Sequence, residues 1–159
     1  MPTAETSPVP WRYTTEKPAA DWFKSDFEAD GWKEGPAGFG TKGTPGAVVR
    51  TVWKTDEISL RREIELPDQK LVNPCLFMHH DEDAEVYING VFTAQAPDFT
   101  TEYGAVEIQP AARAALKPGK NIFAVHCHQT AGGQYIDVGP MDSVPGAASA
   151  ARKVPTFGR

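Results

Sequence analysis

Between Ile58 and Leu66 the chain alternates with a period of two: Ile58, Leu60, Ile64 and Leu66 fall on one side of an extended backbone, and Ser59, Arg61, Glu63 and Glu65 on the other. This predicts a strand with one face in a core. Arg62 falls on the apolar side, so the pattern requires either a bulge that shifts the register or a carboxylate within reach of Arg62 near a sheet end. The same alternation returns in Phe123, Val125 and Cys127 against Ala124, His126 and His128, and in Ile136 and Val138 against Tyr135, Asp137 and Gly139. Val86 to Thr93 reads as a β-hairpin, because Asn89-Gly90 most readily takes the positive φ angles of a type I′ turn. A two-residue loop there would pair Ile88 with Val91 and Val86 with Thr93. Trp11 to Thr14 predicts a first strand, and Pro110 to Leu116 a short helical turn ended by Lys117-Pro118-Gly119. No helical stripe is long enough for a substantial helix. About eight short strands with turn signals between them predict an all-β fold, a two-sheet antiparallel β-sandwich or jelly roll.

Composition narrows this to one domain. The chain has 159 residues, with Gly and Pro at 14 each, a balance suited to many short elements and tight turns. Residues 1–10 and 143–159 are rich in Pro, Ala, Ser and Gly and read as an N-terminal linker and a C-terminal tail or linker, leaving 11–142 as the body. Within it, Asp21 to Gly40 is loop-rich yet carries Trp22, Phe23, Phe27, Trp32 and Phe39, which need burial. His79-His80-Asp81-Glu82-Asp83 reads as a polar turn. The formal charge of -5 and the absence of a Lys/Arg cluster argue against a nucleic-acid partner. No window approaches the roughly 18 apolar residues of a membrane span, and Met1 to Pro10 lacks the parts of a signal peptide. Cys75 and Cys127 are too few for a disulfide scaffold; they read as small buried hydrophobes, with one bridge open if their strands adjoin.

Several segments in order resemble a known family. They are Gly31-Trp32-Lys33 with Gly38-Phe39-Gly40, then Arg50-Thr51-Val52-Trp53-Lys54-Thr55, Leu60-Arg61-Arg62, the run from His80 to Gly90, Lys117-Pro118-Gly119-Lys120-Asn121, and Gly132 to Gly139. Together they resemble the galactose-binding-like jelly-roll domains appended to family 2 glycoside hydrolases and related bacterial glycan-degrading enzymes. The resemblance covers most of 11–142. It implies a non-catalytic sandwich that binds carbohydrate or packs on a catalytic domain in the same polypeptide, in a secreted or periplasmic protein.

Sugar recognition needs an aromatic face for the C–H side of a pyranose and planar polar groups for its hydroxyls. Trp53 leads the platform candidates, with Tyr135 and Trp32 beside it, and Arg61, His126, His128, Gln134 and Asp137 are the polar candidates. His126 and His128 stand on one side of a strand, about 7 Å apart along the backbone. With Asp137 or His80 they would also suit Zn²⁺ or Fe²⁺, which makes a small His-x-His metalloenzyme a rival reading, although no Glu follows as in cupin-type sites. Asp81 and Asp83 offer hard oxygen ligands, and the resemblance implies that such domains often carry a structural Ca²⁺. No nucleophile elbow, phosphate loop or His-Glu-x-x-His motif is present. The expected protein is therefore a carbohydrate-binding ancillary domain and not an enzyme; the alternative is a structural domain that packs on a catalytic neighbour through an apolar patch.

Overall fold

The structure is a computed structural model that describes residues 3–143. Its strands are β1 (Pro10–Thr14), β2 (Lys33–Pro36), β3 (Phe39–Gly40), β4 (Thr51–Val52), β5 (Glu57–Leu66), β6 (Pro74–Asp81), β7 (Asp83–Ile88), β8 (Val91–Ala96), β9 (Gly104–Glu107), β10 (Gly119–His128) and β11 (Tyr135–Asp142), with one short helix, α1 (Pro110–Ala115). They form a six-stranded sheet in the order β2-β1-β5-β10-β7-β8 and a five-stranded sheet in the order β4-β3-β11-β6-β9. Every pairing is antiparallel except β3 with β4. The expected sandwich is what forms.

The interlayer is filled by the positions that alternation marked. Ile58, Leu60, Ile64 and Leu66 from β5, Phe123, Val125 and Cys127 from β10, and Ile136 and Val138 from β11 are all buried in one cluster. Trp53 and Trp11 complete it. Cys75 and Cys127 are both buried free thiols, and burial pushes the Cys127 thiol well up from its usual range, so it packs as an inert hydrophobe. Strand β5 pairs with β10 without interruption from Glu57 to Leu66, so Arg62 is not moved off the inner side by a bulge. Its half-buried guanidinium, disfavoured by desolvation, is favoured by the charge of Asp137 across the sandwich.

Four expectations need correction. The residues read as an N-terminal linker pack into the fold: Thr3, Ala4 and Val9 are buried, and β1 already begins at Pro10. The polar run His79-His80-Asp81 is not a turn but the end of β6; His79 and Asp81 are buried under chain that covers the outer face of the sheet, and His80 is buried on the inner side opposite Ile136. In the hairpin Ile88 does pair with Val91, but Val86 pairs with Ala94, with the ladder interrupted between Val86 and Tyr87. Thr93 is the extra residue, its hydroxyl donating to the Val91 carbonyl. The apolar 21–40 segment is irregular as expected but contributes β2 and β3 at its end. The proposed C-terminal tail lies, beyond Ser143, outside the described residues.

The turn of the hairpin is fixed by more than φ. Asn89 sits at φ 51° and Gly90 at φ 79°. The Asn89 amide donates to the Ala115 carbonyl and to Asn121 Oδ1, both at 2.8 Å, while its Oδ1 accepts from the Ile122 amide at 2.8 Å. One side chain thus ties the hairpin to the end of α1 and the start of β10. Asn89→Ala keeps the awkward φ and removes three bonds, so urea unfolding is expected to show a loss of about 2–4 kcal/mol. A loss under about 0.5 kcal/mol, the usual range for an exposed loop substitution, would contradict this role.

Candidate functional site

Each outer face of the sandwich carries irregular chain held down by a buried polar group. On the five-stranded sheet the group is Asp137. Its Oδ2 accepts from the Ala4 amide at 2.6 Å and from the Tyr103 hydroxyl at 2.6 Å. The Tyr135 hydroxyl lies 2.8 Å from that of Tyr103 and 3.3 Å from the Val48 carbonyl. Beside them, His79 Nε2 meets the Thr100 carbonyl at 3.0 Å, which requires the proton on that nitrogen. Burial holds the Asp137 carboxyl above its ordinary value, against the pull of its hydrogen bonds from Tyr103, Ala4 and Val138. The same desolvation pushes Tyr135 up to about 12.

On the six-stranded sheet the group is Arg61. Its Nη1 donates to the Trp22 carbonyl at 2.7 Å and the Lys24 carbonyl at 2.9 Å, and its Nη2 to the Phe27 carbonyl at 3.0 Å. The guanidinium also lies 5.4 Å from the Phe27 ring centroid. Burial lowers its pKa, with Glu28 and Asp26 pulling the other way. Arg61 therefore serves as the anchor of the aromatic segment.

The aromatic side chains of that segment form a continuous ribbon. Phe27 and Trp32 rings are 5.9 Å apart, Trp32 and Trp22 stack at 6.3 Å, and Trp22 meets Tyr87 edge-on at 6.0 Å. Phe23 stacks on Tyr87 at 4.5 Å, and Phe92 follows at 5.7 Å with 37% of its surface exposed. At the Phe27 end lies a cleft of about 500 Å³, bordered by Arg12, Glu28, Asp30, Glu34 and Glu63. Ribbon and cleft together are an aromatic surface ending in a charged hollow.

Of the residues singled out in the sequence, Arg61 lines the cleft and Trp32 lies on the ribbon, while the others are elsewhere. Trp53 is fully buried, its indole N–H donating to Thr55 Oγ1 and the Glu57 carbonyl. Gln134 is buried and donates to the Thr55 carbonyl at 2.6 Å. Tyr135 and Asp137 point away from the interlayer as their alternation requires, but covering segments bury them. Only His126 and His128 remain half exposed, on the outer face of the other sheet, sharing the Glu57 carboxylate at 2.5 and 2.7 Å. They are thus separated by the sandwich from Asp137, and the expected grouping of these three does not form. His80 is also elsewhere, bonded to the Glu82 carbonyl. Asp81 is buried at the end of β6, while Asp83 opens β7 in the opposite sheet and accepts from the Asp98 amide. Among the described residues no group of three or more His, Cys, Asp or Glu side chains is placed so that it could hold a metal ion. Of the platform candidates only Trp32 lies on the ribbon.

The ribbon and cleft were missed as a site, though the signal was there. Tyr87 and Arg61 both lie on the outward side of their strands, and a loop-rich segment with five aromatic residues needs something to rest on.

No family model and no curated protein matches the chain. Solved structures do match. A glycosyl hydrolase family 2 member from Bacteroides cellulosilyticus aligns over 84% of this chain and 20% of its own, with TM-score 0.57 and 13% identity. A β-glucuronidase from glycoside hydrolase family 2 aligns over 85% and 17%, with TM-score 0.55 and 17% identity. The Bacteroides uniformis β-glucuronidase aligns over 86% and 17%, with TM-score 0.58 and 16% identity. The fold is therefore that of a β-sandwich domain found in family 2 glycoside hydrolases. The chain spans about a fifth of the length of these enzymes.

The Asp137 cluster has a pH signature. A carboxyl held above its unfolded value of 3.8 makes the folded state bind the proton more tightly than the unfolded chain does. Its contribution to stability is then fully present below pH 3.8 and declines as pH rises through the higher folded value. The difference in unfolding free energy between wild type and Asp137→Asn is expected to shrink from pH 3.5 upward before levelling off. A difference that grows over that range would show the carboxylate, not the acid, to be the favoured form.

Proposed function

We propose that this chain is a non-catalytic ancillary domain of a glycan-degrading protein and that it holds carbohydrate on the outer face of its six-stranded sheet. The observation that carries this reading is the aromatic ribbon running into the charged cleft. The partly exposed rings of the ribbon offer apolar surface to pyranose C–H groups, and the carboxylates and Arg12 at the cleft offer acceptors and donors to vicinal hydroxyls. The likeness to family 2 glycoside hydrolases supports the glycan context, and the small share of those chains that is matched supports a non-catalytic part. The partners are then a carbohydrate ligand and a catalytic domain in the same polypeptide, with the work done outside the cell or in the periplasm. Among the described residues no helix is long and apolar enough to cross a membrane.

Packing on a neighbour without sugar is less well supported. Among the described residues the exposed large apolar side chains are Val52, Val72, Phe92 and Phe99, and Phe92 already belongs to the aromatic ribbon assigned to sugar.

Calorimetric titration with methyl glycosides and soluble oligosaccharides, methyl β-glucuronide included, is expected to give millimolar or tighter binding to at least one of them. Trp32→Ala should weaken that binding about tenfold, equivalent to about 1.4 kcal/mol, with circular dichroism confirming a folded protein. Folded wild-type protein that binds no glycoside in the panel at 10-fold millimolar excess would remove the proposal.

A further inference from the structure

At one end of the sandwich the loop 67–73 between β5 and β6, the end of α1 and the turn that follows it border a cavity of about 510 Å³. Its floor belongs to the core: Leu66 is buried, and Leu71 and Leu116 pack against the same cluster. Val72 also lines it, with 67% of its surface exposed, so apolar surface is left facing water. The loop is moored without help from anything in the cavity. Asp142 accepts from the Val72 and Asn73 amides at 3.0 and 2.7 Å, and the Ser143 amide donates to the Asn73 carbonyl at 3.1 Å. The cavity shares no lining residue with the cleft beside Phe27.

Its charged residues are mostly cationic. Among the described residues, Lys70, Arg113 and Lys117 line it against one carboxylate, Asp68, in a chain whose formal charge is -5. Like charges gathered beside apolar surface repel one another and lose solvation unless an opposite charge joins them. Within the described protein none does. The ion pairs there are Lys120 with Glu63 and two histidines with Glu57, so Lys70, Arg113 and Lys117 have none. Their side chains donate no hydrogen bond either. Asp142, the acid that moors the loop, has both oxygens engaged by amides. Residues 144–159 contain Arg152, Lys153 and Arg159 and no Asp or Glu, so their side chains have the wrong sign to complement these cations.

We propose that this cavity binds a small amphipathic carboxylate, an aromatic ring or short acyl chain bearing one acid group. The apolar body lies against Leu66, Leu71, Val72 and Leu116, and the acid group pairs with the surrounding cations, Arg113 foremost. A guanidinium presents paired N–H donors that match both oxygens of a carboxylate, while ammonium groups add charge without a fixed direction. The volume of about 510 Å³ falls in the range of small-molecule sites, roughly 300–1,000 Å³. A neutral apolar solute would leave the cations unpaired, and a small inorganic anion would leave the apolar floor wet. The two halves of the site therefore select a ligand that has both. Nothing in this assignment depends on the carbohydrate reading.

The probes are phenylbutyrate and its neutral counterpart phenylbutanol, titrated separately into the isotope-labelled full chain and followed by backbone-amide NMR. The carboxylate is expected to saturate, with shifts concentrated in residues 66–74 and 113–118, and the alcohol to bind about tenfold more weakly or worse. Arg113→Gln combined with Lys117→Gln should weaken the carboxylate about tenfold and leave the alcohol unchanged. Both positions are exposed, and thermal melts of the variant should match wild type. Added sodium chloride should weaken the carboxylate selectively. Equal binding of acid and alcohol, carboxylate binding undiminished in the doubly substituted protein, shifts centred on the cleft beside Phe27, or no saturation of the folded protein would each overturn the proposal.

Discussion

A charged or strongly polar group removed from water must bring its hydrogen-bonding partners with it, and two such groups organise this molecule. Arg61 draws the carbonyls of Trp22, Lys24 and Phe27 onto one outer face, and Asp137 draws the Ala4 amide and Tyr103 onto the other. The sandwich core would fill without either of them. What they decide is where much of the irregular half of the described chain lies.

That placement sets the surface available for recognition. With the N-terminal segment and the 44–50 and 98–103 loops over the five-stranded sheet, Tyr135, His79 and Asp137 are sealed beneath chain and become structural. The close approach at that sheet depends on glycine: a Cβ at Gly38 would collide with the Tyr135 ring, and one at Gly40 with the Gln134 carbonyl. Over the six-stranded sheet the covering is partial. It presents its own aromatic side chains at the surface and leaves the cleft beside Phe27 and the Glu57–His126–His128 group uncovered.

The two-residue alternation was legible because it reports a local property, the direction of successive side chains from a strand. It placed Ile58, Leu60, Phe123, Val125, Ile136 and Val138 in the interlayer correctly. The same rule correctly turned Tyr135 and Asp137 away from that layer, yet outward did not mean wet. Whether an outward residue meets water depends on segments distant in sequence, and Ala4 reaches Asp137 across 133 positions. Trp53 misled for a related reason: a tryptophan suited to a sugar platform is equally suited to a core, and alternation is silent just past a strand as short as β4.

The sequence by itself determined the class of fold, the identity of the inner faces and the hairpin at Asn89-Gly90, because each rests on backbone geometry and hydrophobic period within a few residues. Only the tertiary structure decided which sheet each strand joins and which outer face is covered, hence that His126 and His128 keep Glu57 for company while Asp137 is sealed on the other side. The physical reason is that covering a sheet is a long-range event, governed by where loops find hydrogen-bonding anchors, and no periodicity along the chain records it.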